Sequence, residues 1–88
     1  MIVWTDYLKY RAALRGFNLL EVEEILRFSE ERYFDTVTGR HVVVGRSGGL
    51  LVMIPYEQTG DDIIAVTIHA TTRQQVNFRL KSGRFRNG

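Results

Sequence analysis

The spacing of apolar and polar residues predicts two helices in the first third of the chain. Thr5 is a suitable N-cap for a helix over about 6–15, and Gly16 is suited to end it in the left-handed conformation. Asn18 begins a capping-box pattern that opens a second helix over about 19–29, whose apolar residues recur at helical spacing. Because the link between the two helices is short, we expect them to form an antiparallel hairpin.

Strand patterns occupy the middle of the chain. Runs rich in β-branched and aromatic residues, separated by turn residues, cover about 32–36, 40–46, 50–56 and 63–69. The third run is almost continuously apolar, which is typical of a central strand, and Pro55 should weaken the pairing near its end. Connections this short predict an antiparallel meander.

A third helix follows the strands. Thr71 with Gln74 is another capping-box pattern, and Gly83 supplies a stop, so this helix should span about 72–82. The predicted order is α-α-β-β-β-β-α. We therefore expect one α+β domain over 1–88, in which a four-stranded antiparallel sheet packs against the N-terminal helical hairpin and a C-terminal helix completes the fold.

Composition limits the chemistry. The chain of 88 residues is 44% hydrophobic and 25% charged, as in ordinary soluble domains. It has no cysteine and only two histidines, so we expect no disulfide and no structural zinc. The sequence has no P-loop and no dinucleotide fingerprint, and we expect no cofactor. No apolar run approaches the ~20 residues that span a bilayer, and the first residues lack a signal-peptide pattern. We therefore expect a cytoplasmic protein with no membrane partner.

Charge is strongly polarised along the chain. The net charge is only +2, but all ten acidic residues lie at or before Asp62. Five basic residues follow it: Arg73, Arg79, Lys81, Arg84 and Arg86. A pole of one sign favours a polyanionic partner. Because Phe78 and Phe85 lie among these cations, we take the last four of them as candidates for binding single-stranded nucleic acid; a solvated, partly frayed C-terminus is the alternative.

His69 and Arg73 are the first candidates for catalysis. His69 ends the fourth predicted strand, and Arg73 lies in the first turn of the third helix, where a cation opposes the helix dipole. An imidazole moves a proton near neutral pH and a guanidinium holds phosphate oxygens in a fork, so the pair could act on a phosphodiester. The alternatives are a structural histidine and an arginine paired with a carboxylate such as Glu57.

Three further polar side chains have competing interpretations. Tyr56, at the end of the third predicted strand, is a third catalytic candidate, or else a rim aromatic that caps the core. Arg11 and Arg15 share a helix face with Trp4 and Tyr7. We interpret these two arginines as structural partners of aromatic rings or carboxylates.

Several segments spread over nearly the whole chain carry a resemblance to a known family. They are Arg11 with 15–17 (RGF), 20–26 (LEVEEIL), 40–46 (RHVVVGR), and 64–69 (IAVTIH) leading to 72–75 (TRQQ). In this order and spacing they resemble the RelE/ParE-like toxin superfamily of bacterial toxin–antitoxin systems, nearest to BrnT-like proteins and a related family of unknown function.

The resemblance implies the toxin of a type II pair. Its sheet would engage RNA on the ribosome, basic and aromatic residues would cleave the RNA without a metal, and a small cognate antitoxin protein would neutralise it. The arginine of the Thr-x-Arg segment corresponds to Arg73, and the arginine before the glycine corresponds to Arg15. This chain departs from its relatives in having Tyr7 where a histidine is common, and some relatives inhibit gyrase without being nucleases.

We therefore expect a metal-independent endoribonuclease, in which the ribose 2′-hydroxyl attacks the adjacent phosphate. His69 would be the acid or base, Tyr56 a second candidate, and Arg73 would stabilise charge on the phosphorane. The alternative is a non-catalytic module of the same fold that grips nucleic acid or inhibits a protein such as gyrase. A third interpretation is a family member repurposed for interaction alone.

Overall fold

The computed structural model of the protein describes residues 1–87. In chain order the elements are β1 (Ile2–Trp4), α1 (Asp6–Arg15), α2 (Leu19–Phe28), β2 (Arg32–Asp35), β3 (Arg40–Ser47), β4 (Leu50–Thr59), β5 (Asp62–Ala65), β6 (His69–Thr71), α3 (Arg73–Lys81) and β7 (Phe85–Asn87). No helix in the described part is long and apolar enough to cross a membrane.

The strands form one mixed sheet. Its order is β1-β5-β4-β3-β2-β7, and β6 also pairs with β4. The predicted four-stranded antiparallel sheet is therefore wrong: residues 1–87 contain a seven-stranded sheet, and β1 runs parallel to β5. The predicted element order is wrong as well, since β1 precedes α1 and β7 follows α3. The four predicted strands do form the antiparallel middle of the sheet.

A bulge interrupts the strand that was predicted over 63–69. β4 pairs with β5 on one side of Pro55 and with β6 on the other, and between these ladders three residues, 66–68, face two on β4. β4 continues past Pro55 and pairs with β5 as far as Thr59, so the expected weakening of pairing towards the end of this strand is wrong. One extra residue reverses the alternation of side chains. Ala65 and Ile68 therefore enter the same core, whereas His69 reaches a cleft on the opposite face.

The sheet separates two hydrophobic cores. α1 and α2 cover one face, where the buried residues are Leu8, Ala12, Val22, Ile25, Leu26, Val43, Val52, Ile54, Tyr56, Ala65 and Ile68. α3 covers the other face, with Val42, Val44, Leu51, Val76 and Phe85. Alternation along β3 supplies both cores, since Val43 points one way and its two neighbours the other. Burial on both faces explains why the central strands are so continuously apolar.

The helix boundaries follow from local sequence. Thr5 and Asn18 accept backbone N–H groups at the starts of α1 and α2, and Gly16 ends α1 at φ 73°, as predicted. The third N-cap differs by one residue from the prediction: it is Thr72, not Thr71. Thr71 instead ends β6.

Candidate functional site

His69, at the start of β6, is held by an arginine from α1. Arg11 Nη2 donates to His69 Nδ1 at 3.2 Å, and the same nitrogen lies 3.5 Å from the carbonyl oxygen of Ile68. In a neutral imidazole this contact makes Nδ1 the acceptor and leaves the ring proton on Nε2. Arg11 therefore selects the tautomer of His69.

Thr5 positions α1 so that this contact can form. Its hydroxyl donates to the carbonyl of Val66, inside the bulge, at 2.8 Å and accepts from the N–H of Leu8 at 3.1 Å. Leu8 is fully buried and fixes the side of α1 that meets the sheet. Arg11 lies beside that buried side, which brings its guanidinium to His69 across 58 residues of sequence.

Burial and the charges of three arginines together lower the pKa of His69. Partial burial lowers the pKa of His69 below its ordinary value of 6.5, and the charges of Arg11, Arg79 and Arg15 lower it further. Arg11 and Arg15 come from α1, whereas Arg79 comes from α3 on the opposite face of the sheet. His69 is therefore neutral at pH 7 and lies in a positive field that favours an anion.

A small cleft of about 140 Å³ adjoins His69 on the α3 side of the sheet. Apolar side chains of β3 and β4 form part of its wall, and its polar lining includes Thr67, Arg40 and the Arg84–Asp35 ion pair. Two buried atoms near the imidazole, Arg11 Nε and Thr67 Oγ1, have no hydrogen-bond partner in the described part of the chain. Buried polar groups are normally paired, but both atoms are closed to solvent, so a ligand would reach them only if the surrounding side chains moved.

Arg79 is held in place without losing its charge. Its guanidinium carbon lies 5.6 Å from the ring centroid of Phe85, and Nη1 lies 3.8 Å from the sulfur of Met53. Stacking on an aromatic ring orients a guanidinium but leaves its positive charge uncompensated. Among the predicted nucleic-acid-binding residues, Arg79 is the one whose charge lowers the pKa of His69.

Arg73 forms a two-pronged ion pair with Glu31, just before β2. Nη2 donates to Oε1 at 2.9 Å, and Nη1 donates to Oε2. The bond from Arg73 lowers the pKa of Glu31, while burial, together with the bond to this carboxylate, raises the pKa of Tyr33 to about 12. Arg73 thus has a carboxylate partner, but the suggested partner was wrong, because Glu57 pairs with Arg40 at 3.3 Å.

Arg84 is neutralised by a buried carboxylate of β2. Its Nε and Nη2 donate to the two oxygens of Asp35, each at 3.1 Å. Burial acts to raise the pKa of Asp35, but the bonds from Arg84 and from the backbone N–H groups of Val37 and Thr38 outweigh it, and the pKa is lowered overall. Arg84 therefore contributes less free charge to a nucleic-acid surface than its position in the sequence suggests.

Tyr56 lies on the other side of the sheet from the His69 cleft. It is 5% exposed and packs in the core beneath α1 and α2. The guanidinium carbon of Arg32 lies 5.5 Å from its ring centroid, and the ring of His41 stacks on it at 5.6 Å. The adjacent Pro55 lines the cleft, so Tyr56 and His69 are not brought together.

The site differs from the predicted one mainly in Arg11 and Thr67. We predicted a structural role for Arg11. It lies one turn from Leu8, beside the buried side of α1, and no acidic residue lies at helical spacing to neutralise it. Lys81 and Arg86 are exposed. Within residues 1–87, no three His, Asp or Glu side chains cluster as a metal site.

No family model matches this chain, and comparisons with curated proteins and with solved structures found no match either.

Proposed function

We propose that this protein binds the backbone of RNA at His69 and cleaves it without a metal ion, as the toxin of a type II toxin–antitoxin pair. The observation that carries the RNA-binding part is that Arg11 contacts His69 directly, while Arg79 lies against Met53, the cross-strand neighbour of His69. Like charges brought together in a folded protein repel one another, so an anionic ligand best explains the cluster. The toxin role and the cognate antitoxin are supported by the sequence resemblance.

Arg11 offers a way to couple phosphate binding to proton transfer. In the free protein it donates to His69 Nδ1. A phosphate oxygen is negatively charged and accepts from a guanidinium more strongly than a neutral imidazole does. When Arg11 turns to an RNA phosphate, Nδ1 becomes free to accept a proton.

The freed imidazole would act on the neighbouring ribose. His69 Nδ1 takes the proton of the 2′-hydroxyl, the 2′-oxygen bonds to phosphorus, and the bond from phosphorus to the 5′-oxygen breaks. The products are a 2′,3′-cyclic phosphate and a 5′-hydroxyl that is protonated from solvent. Arg11 and Arg79 stabilise the charge of the phosphorane. The lowered pKa of His69 keeps it in the neutral form that a base requires at pH 7.

A non-catalytic nucleic-acid-binding module is the alternative, and one observation favours it. Arg73 and Arg84, two residues expected to serve RNA, are engaged by Glu31 and Asp35. Tyr56 lies in the opposite core. In the described part of the site, no side chain is therefore placed to protonate the 5′-oxygen as it leaves. A module that grips RNA needs no such acid.

Binding and cleavage measured on the same variants separate these two functions. We expect the wild-type protein to cut single-stranded RNA in the presence of EDTA and to leave cyclic phosphate ends. His69→Gln should still bind but not cut. Arg11→Gln should weaken binding about 10-fold or more, since a hydrogen bond to a charged group contributes ~1.5–3 kcal/mol.

The matched control is Arg27→Gln, because Arg27 pairs with Glu23 on the exposed side of α2. This variant should change neither binding nor cleavage. Binding without cleavage by the wild-type protein would select the non-catalytic module. RNA bound equally well by wild type and Arg11→Gln would reject the site.

A further inference from the structure

We infer that the outer side of α3 binds single-stranded RNA by stacking a base on the ring of Phe78, an inference that rests on the proposed function for the identity of the ligand. Phe78 is 69% exposed, while Val76, which anchors the inner side of α3, is fully buried. The fold therefore leaves this large aromatic ring exposed to solvent. Base stacking on such a ring is tolerant of sequence, because every base has a flat apolar face.

Two shallow grooves flank the ring, and their chemistry matches a nucleotide. The first, of about 670 Å³, is lined by Gln74, Asn77, Phe78, Leu80 and Lys81. The second, of about 410 Å³, is lined by Gln74, Gln75, Phe78, Arg79, Ser82 and Arg84. Amide side chains hydrogen-bond to base edges, and cations follow the phosphates. No acidic residue lines either groove, in keeping with the absence of acidic residues after Asp62.

The chain contains a natural comparison in Phe28, at the end of α2. Phe28 is 75% exposed, slightly more than Phe78. Its groove, of about 380 Å³, is lined by the carboxylates of Glu21 and Glu24 as well as by Arg46. A polyanion would be repelled by those carboxylates. Exposure alone therefore does not select Phe78; its cationic and amide surroundings do.

The grooves also connect Phe78 to the His69 site. Arg84 lines both the second groove and the cleft beside His69. Arg79 lines the same groove, and its charge acts on the imidazole. A single strand stacked on Phe78 would therefore pass Arg79 on its way to His69. The ring would hold a nucleotide that flanks the phosphate bound at His69.

The test is the affinity for a fluorescent ten-nucleotide 2′-O-methyl RNA, which lacks the attacking hydroxyl and stays intact. Phe78→Leu should weaken binding roughly 5- to 150-fold, the range expected for one stacked base, whereas Phe78→Tyr should bind like the wild type. Phe28→Leu, the matched control, should leave the affinity unchanged. Both rings are exposed, so neither leucine variant should disturb the fold, which a thermal melt checks. A duplex of the same length should bind more weakly, because its bases are already stacked.

Each outcome bears on this inference separately from the proposed function. Unchanged binding by Phe78→Leu, with weaker binding by Arg11→Gln, would overturn the stacking site and leave the His69 site standing. Weaker binding by Phe78→Leu, with unchanged binding by Arg11→Gln, would support the stacking site and reject the His69 site. Equal loss with Phe28→Leu, or no RNA binding by the wild type, would overturn the inference. Competition by poly-glutamate at equal charge would assign this side of α3 to an acidic protein instead.

Discussion

Single arginines in this protein differ in whether a carboxylate neutralises them. Arg73 and Arg84 are paired with Glu31 and Asp35, so their charges serve mainly to join elements of the fold. Arg11 instead donates to a histidine ring. The sequence around Arg11 shows only that no acidic residue lies at helical spacing. It does not show the partner of any of these arginines, because each partner lies 42 to 58 residues away.

Asp35→Asn should lower stability most at neutral pH. The folded-state pKa of Asp35 is lowered from its ordinary 3.8. Its ionised form therefore stabilises the fold above that pH, and this contribution is lost as the pH falls through the folded-state pKa. Urea unfolding should show a gap of about 2 kcal/mol between wild type and Asp35→Asn at pH 7, shrinking below about pH 4. Asp61→Asn, in an exposed turn, is the control, and a gap undiminished in acid would contradict the assignment.

Among the helices and strands, the sequence predicted the features that depend on neighbouring residues. The caps and the left-handed glycine after α1 defined the helices to within a residue or so, because capping bonds join near neighbours. β1, β6 and β7 were missed because strands of three residues are too short to show alternation. Their backbone bonds go to strands distant in sequence, as does the contact of Arg11 with His69, so the sheet edges and the site could not be read from local pattern.

Gly45→Ala should destabilise the contact between α2 and β3. A Cβ at position 45 would lie 2.7 Å from two carbon atoms of the Ile25 side chain. The overlap should cost about 1–3 kcal/mol in the free energy of unfolding. Adding Ile25→Ala removes the clashing atoms, so the double variant should be less unstable than the two single effects added together. Strict additivity in chemical unfolding would contradict this close approach.

Arg73→Ala should loosen the link between α3 and β2. The Arg73 side chain is 50% exposed and that of Glu31 is 25% exposed, so the pair should contribute only about 0.5–1 kcal/mol. We expect a slightly lower melting temperature, the same loss for Glu31→Gln, and unchanged RNA affinity. If Arg73→Ala melted like the wild type but lost RNA binding, Arg73 would serve phosphate, as the sequence resemblance implies.

In the whole molecule, the fold places basic residues from both ends of the sequence near His69. α1 approaches His69 from one face of the sheet, and α3 brings Arg79 from the other. The bulge after β5 turns His69 towards the α3 side. The basic C-terminal pole seen in the sequence is therefore only part of the positive region, since Arg11 and Arg15 join it from the first helix.

The most direct test of the His69 site is an NMR titration of the two histidine rings with single-stranded 2′-O-methyl RNA. His41 stacks on Tyr56, on the face away from the cleft, and serves as the internal reference. We expect RNA to shift the His69 resonances and to raise the pKa of His69, which is lowered in the free protein, because a bound phosphate favours the charged imidazole. The His41 resonances should stay in place, and Arg11→Gln should require more RNA for the same shift. Unchanged His69 resonances and an unchanged His69 pKa at saturating RNA would contradict it.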